Sequence, residues 1–231
     1  METDESSNAA NKSSRFFTPY KGDFYGTENS ILSKKMLVVG ASHYCQDFFE
    51  CGDACGNMAK SPACADFTLG VIDTFFSSEE RYPWMRTYST FANSVFGRDA
   101  SFEEQCNFFR SVVFVNYLQR AEGKKGNEKH NSWFRNLQNA DAFKQTIGEY
   151  TPEVVVVWGA RVWPALPWKD FTIDTARSTD NAKECSCMGI PFTLLQVHHP
   201  SMGYVRDTHF QLFRENGVFI IDPNVKTSVK I

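Results

Sequence analysis

Met36-Leu37-Val38-Val39 is an unbroken apolar run that ends at Gly40 and is followed at once by Ala41-Ser42-His43-Tyr44. A short run without polar alternation predicts a strand covered on both faces, the habit of parallel sheets. Three further stretches repeat the pattern. Val112-Val113-Phe114-Val115 ends at Asn116, Val154-Val155-Val156-Val157 ends at Trp158-Gly159, and Phe192-Thr193-Leu194-Leu195-Gln196-Val197 ends at His198-His199-Pro200. Helical patterns fill the intervals, over 66–76, 101–110, 132–150, 160–166 and 206–216. Ser101 and Glu104 stand at capping-box spacing, and Pro152 blocks any extension of the third helix. Strands alternating with helices imply βαβ units. The expected fold is α/β, a three-layer α/β/α arrangement around a central, mainly parallel four-stranded sheet.

The unusual polar residues stand where the strands end. In open parallel sheets ligands bind beyond the carboxyl ends of the strands. Ser42, His43, Asn116 and His199 are therefore expected to converge on one crevice although they lie far apart in sequence.

Composition bounds the rest. A chain of 231 residues, 42% hydrophobic and with 21 Phe, can bury a ring-rich core. Its net charge of −3 argues against strong, non-specific binding to nucleic acid, which needs many Lys and Arg contacts to phosphate. Residues 1–14 are polar and without an apolar signal core, so they read as a disordered tail preceding a single domain over 15–231. From 15 to 35 an irregular arm is expected to pack its aromatic residues on that domain. No apolar run is long enough for a membrane-spanning helix. The expectation is a cytoplasmic monomer that does not engage membranes.

Taken in order, the strand ends resemble the uracil-DNA glycosylase superfamily. Val38-Val39-Gly40-Ala41-Ser42-His43-Tyr44 is similar to the first motif of that family, with Ser42 where the best-known branch carries the Asp that orients the attacking water. Tyr44 matches the residue that blocks the thymine methyl group. Phe67, in Ala65-Asp66-Phe67-Thr68, matches the ring that stacks on the extruded base. Asn116, closing Val113-Phe114-Val115-Asn116-Tyr117, matches the Asn whose amide reads the uracil edge. His199-Pro200-Ser201 resembles the second motif, whose His stabilises the departing base. The following Met202-Gly203-Tyr204-Val205-Arg206 corresponds to the loop that enters the minor groove; Gly203 occupies the usual wedge position, leaving Met202 or Tyr204 to substitute. Trp158-Gly159 matches an internal strand end, with Gly159 expected to allow tight strand–helix packing.

The resemblance implies a hydrolase of DNA repair, removing uracil or another deaminated base by base excision. Catalytic candidates are Ser42, His43 and His199; base-binding candidates are Tyr44, Phe67, Asn116 and His199. Ser42 would hold the water, and His43 would accept a proton or hold the turn. Ser201, Met202, Tyr204 and Arg206 are candidates for DNA contact, joined by a basic stretch including Lys124 and Lys125. The chemistry needs no cofactor. Cys45, Cys51, Cys55 and Cys64 crowd one turn-rich loop and form a candidate structural zinc site, with an iron–sulfur cluster or ordinary free thiols as the alternatives. Two other functions stay open: a non-catalytic module that binds a nucleobase or nucleic acid, and a hydrolase of free nucleosides or nucleotides. Ser42 and the acidic charge balance favour the first of these.

Overall fold

The computed structural model describes residues 14–45, 62–123 and 131–221. Nine strands occur there: β1 (Tyr20–Lys21), β2 (Met36–Gly40), β3 (His43–Cys45), β4 (Val112–Asn116), β5 (Ala121–Gly123), β6 (Val154–Trp158), β7 (Phe171–Asp174), β8 (Ala182–Cys187) and β9 (Ile190–Val197). The α-helices are α1 (Pro62–Ala65), α2 (Phe67–Ser77), α3 (Met85–Phe96), α4 (Phe102–Arg110), α5 (Leu137–Tyr150) and α6 (Arg206–Glu215).

The fold is α/β with a mixed central sheet of seven strands, in the order β1-β4-β2-β6-β9-β8-β7. The four expected strands form its parallel middle, β4-β2-β6-β9. The expectation of a four-stranded sheet is corrected at both edges. β1 pairs antiparallel with β4, and the antiparallel β7 and β8 extend the sheet beyond β9. These edge strands escape the pattern of continuous apolar residues because they are short or carry polar residues. Phe171-Thr172-Ile173-Asp174 alternates half-buried and exposed positions, and β8 reads Ala-Lys-Glu-Cys-Ser-Cys.

Every residue of β2, β4 and β6 is buried, because apolar clusters cover both faces of the sheet. Met36, Val38, Phe114, Val156 and Trp158 point to one cluster, with Phe75 of α2, Phe91 of α3, Phe109 of α4 and Phe213 of α6. Leu37, Val39, Val113, Val115 and Val157 point to the other, with Phe143 and Ile147 of α5. The period-two alternation of a strand thus feeds two cores.

Four of the five expected helical intervals contain an α-helix. Ser101 accepts from the Glu104 N–H and Glu104 caps the Ser101 N–H in return, closing the capping box at the start of α4. The long interval over 132–150 splits into a 3₁₀ turn, Asn131–Arg135, and α5, because Asn136 takes extended backbone and caps the Gln138 N–H. The interval 160–166 holds only a 3₁₀ turn, Trp163–Ala165; Pro164 and Pro167 remove the donors an α-helix would need. Helix α3 is an addition, although Met85, Tyr88, Phe91, Ala92 and Val95 recur at helical spacing. The amino-terminal arm buries Phe17, Tyr20 and Tyr25, and its Phe16 and Phe17 N–H groups donate to Gln119 Oε1.

No helix among the described residues is long and apolar enough to cross a membrane.

Candidate functional site at the carboxyl ends of the strands

A cleft of about 1240 Å³ opens at the carboxyl end of the parallel strands. Ser42 reaches it from the turn after β2, Tyr44 from β3, Asn116 from the last residue of β4, Trp158 from the end of β6, and His199 from the turn after β9. Phe67 joins them from the first turn of α2. Six residues spread from 42 to 199 therefore share one surface.

Gly40 and Asn116 are cross-strand partners at the ends of β2 and β4. A Cβ on Gly40 would stand 2.3 Å from Asn116 Oδ1 and 3.1 Å from Phe114 Cζ. Only glycine leaves the Asn116 amide its place over the β2 backbone. The amide Nδ2 lies 3.1 Å from the His43 ring nitrogens, and His43 Nε2 lies 2.9 Å from Thr68 Oγ1. With Nδ1 accepting from Asn116, Nε2–H donates to Thr68.

His43 is buried between rings: its centroid is 4.7 Å from Phe17 and 4.7 Å from Phe67. Burial depresses its pKa to about 3, so the ring is neutral near neutral pH. A ring so hard to charge is a weak proton acceptor, which favours the second expected role of His43, holding the turn. A buried ring that resists charging, with hydrogen bonds to Asn116 and Thr68, is a positioning group for both.

His199 is set by two neighbours. The Ser201 N–H donates to His199 Nδ1 at 3.3 Å, and Ser201 Oγ lies 2.8 Å from the same nitrogen. A backbone N–H can only donate, so Nδ1 accepts and the neutral ring carries its proton on Nε2. Gly159 has φ +83°, and a Cβ there would stand 3.2 Å from His199 Cβ. The expected strand–helix role of Gly159 is thus corrected. The segment after it is no α-helix, and the close neighbour is His199.

Tyr44 is half-exposed at the rim, and Met202 is exposed at 70%. Tyr204, expected to touch DNA, turns inward instead. Its ring stacks on His209 at 4.1 Å between centroids, and its hydroxyl lies 2.7 Å from Ser94 Oγ. His209 Nε2 in turn accepts the His198 N–H at 3.1 Å, which ties the turn carrying His199 to α6. Arg206 is paired with Asp99 at 2.8 Å. Ser201, expected to contact DNA, is occupied in holding His199.

Sequence reasoning missed Glu122. Among lysines it reads as a charge diluting a basic stretch. In the structure it is 2% exposed, forms a bidentate ion pair with Arg161 at 2.7 and 3.0 Å, and accepts a hydrogen bond from the Ser42 hydroxyl. The parallel pairing of β3 with β5, with Tyr44 opposite Glu122, brings it beside the first strand end. No local signal in the sequence marks that pairing.

Lys124, Lys125, Cys51 and Cys55 lie outside the described residues. Cys45 and Cys64 are half-buried, and among the described residues no three His, Cys, Asp or Glu side chains gather as metal ligands.

No protein-family model matches this chain, and no curated protein matches its sequence.

Proposed function

We propose that this chain recognises uracil or another deaminated base in DNA and hydrolyses its N-glycosidic bond, on a three-layer fold of the uracil-DNA glycosylase type. One observation carries the reading: Ser42, Asn116 and His199, remote in sequence, line a single cleft at the carboxyl ends of the parallel strands β2, β4 and β9. The target nucleotide is extruded into that cleft. The Asn116 amide, fixed by His43 and Gly40, offers a donor and an acceptor to the base edge. Phe67 stacks on the base, and Tyr44 limits its size. As the bond breaks, negative charge grows on the base, and His199 Nε2–H is the donor that stabilises it. Ser42 holds the attacking water. Met202, apolar and exposed, is the wedge that fills the gap left in a duplex.

The test is direct. Purified protein is incubated with single- and double-stranded oligonucleotides carrying uracil, hypoxanthine or xanthine, and abasic sites are cleaved with alkali. Cleavage at the modified base, lost in His199→Ala and in Asn116→Ala, is the expected result. Folded protein that binds these oligonucleotides without cleaving them would instead be a base-binding module. Turnover of free nucleosides alone would move the substrate away from DNA.

A further inference from the structure

We infer that Glu122 and Arg161 act through Ser42 as the water-activating group of the cleft; the inference rests on the hydrolytic reading above.

A serine hydroxyl is a poor proton acceptor by itself near neutral pH, and Ser42 alone would leave the attacking water with no base. The fold supplies a carboxylate one hydrogen bond away. Ser42 Oγ–H donates to Glu122 Oε2, so the hydroxyl proton points away from the cleft that Ser42 lines. The remaining Oγ lone pairs are acceptors, suited to a water O–H. Arg161 binds the same carboxylate with two nitrogens, at 2.7 Å to Oε1 and 3.0 Å to Oε2. Its guanidinium lies 4.5 Å from the Phe134 ring centroid. A carboxylate with 2% exposure is costly to bury unpaired, and this fork offsets that cost.

A purely structural ion pair would need Arg161 but not a cleft-lining hydroxyl. The third partner is what gives Glu122 a route to the chemistry. The β3–β5 ribbon fixes that route: Tyr44 pairs with Glu122, and in strands a one-residue slip sends every side chain to the opposite face.

The water oxygen bonds to the sugar carbon, and the carbon–nitrogen bond breaks with its electron pair going to the base. The water gives a proton to Ser42 Oγ while the Ser42 proton passes to Glu122 Oε2. The base leaves as an anion held by His199 Nε2–H, then takes a proton from solvent as Glu122 returns its own. Glu122 touches neither the water nor the sugar and acts through Ser42, and Arg161 is the positioning residue for its carboxylate.

The experiment uses the full chain and a uracil oligonucleotide under saturating conditions, with Ser42→Ala, Glu122→Gln and the double variant Ser42→Asp/Glu122→Gln. Binding is read separately on an oligonucleotide whose target nucleotide carries a 2′-fluoro group that resists hydrolysis. Ser42→Ala and Glu122→Gln are expected to lower kcat by about 100-fold, the scale of general-base catalysis, with the binding constant unchanged. The double variant moves the carboxylate from one position to the other and is expected to recover part of the lost kcat. Ser42→Ala leaves the Glu122–Arg161 pair intact, so it carries the readout if Glu122→Gln fails to fold. Unchanged kcat in Ser42→Ala, or in a folded Glu122→Gln, would overturn the inference while His199→Ala still abolished cleavage. A wild-type protein that cleaves none of the substrates would overturn the hydrolytic reading and this inference together.

Discussion

Asn116 Oδ1 occupies the space, 2.3 Å away, where a Cβ on Gly40 would stand. The glycine that ends the first parallel strand and the amide that ends its neighbour are one structural unit. Gly40→Ala is expected to displace the Asn116 side chain and to cost about 1–3 kcal/mol, the range for overpacking a core. It should also weaken binding of the uracil oligonucleotide. A double-mutant cycle checks the cause: part of the Gly40→Ala penalty should vanish in an Asn116→Ala background. Additive penalties in chemical denaturation would show that the two residues do not share that space.

Gly159 stands in the same relation to His199, with the added constraint of φ +83°. Gly159→Ala combines backbone strain with a contact of 3.2 Å to His199 Cβ, and is expected to cost about 1–3 kcal/mol. Base excision should fall with it, because His199 must shift. Thermal unfolding and the alkali-cleavage assay, run on the same preparation, test both effects.

Met202 and Tyr204 are two residues apart and should behave oppositely. Met202→Ala is expected to leave stability within about 0.5 kcal/mol of the parent, since the side chain is exposed. It should reduce activity on duplex more than on single strands. Tyr204→Phe removes the hydroxyl that meets Ser94 Oγ, a residue whose side chain is fully buried, and is expected to cost about 1 kcal/mol. Melting temperatures, with the duplex-to-single-strand activity ratio, separate the two roles.

Acid should destabilise the fold before its carboxylates titrate. Burial holds His43 near a pKa of about 3, against 6.5 for a free ring, and burial also lowers that of His209. At higher pH both rings are neutral whether the chain is folded or not. As pH falls below about 6.5 the unfolded chain takes up protons that the folded chain refuses, so stability is lost. For His43 the slope reaches about 1.4 kcal/mol per pH unit and persists until pH approaches its folded value. Urea unfolding midpoints between pH 6.5 and 5 should fall accordingly, and the slope should shrink in His43→Gln. An equal slope in that variant would remove His43 as its source.

The parallel centre of the fold was legible in the sequence because strands buried on both faces have little choice but to be apolar throughout, as Val154-Val155-Val156-Val157 is. The polar residues that break those runs at their carboxyl ends, Asn116 and the turns bearing Ser42 and His199, were legible for the same reason: they are conspicuous against apolar neighbours. What the sequence left open was every relation between elements without a local signature. β7 and β8 lie at a sheet edge, where one partner and some solvent permit polar residues, so no hydrophobic pattern announces them. Tyr204 reads as a surface residue until α3 and α6 bring Ser94 and His209 against it. Glu122 reads as a solvated charge until β5 pairs with β3 and places its carboxylate between Arg161 and Ser42. Burial in a strand is imposed on consecutive residues and is written along the chain. A hydrogen bond across eighty residues is fixed only by strand pairing and register, and so only the tertiary structure decided it.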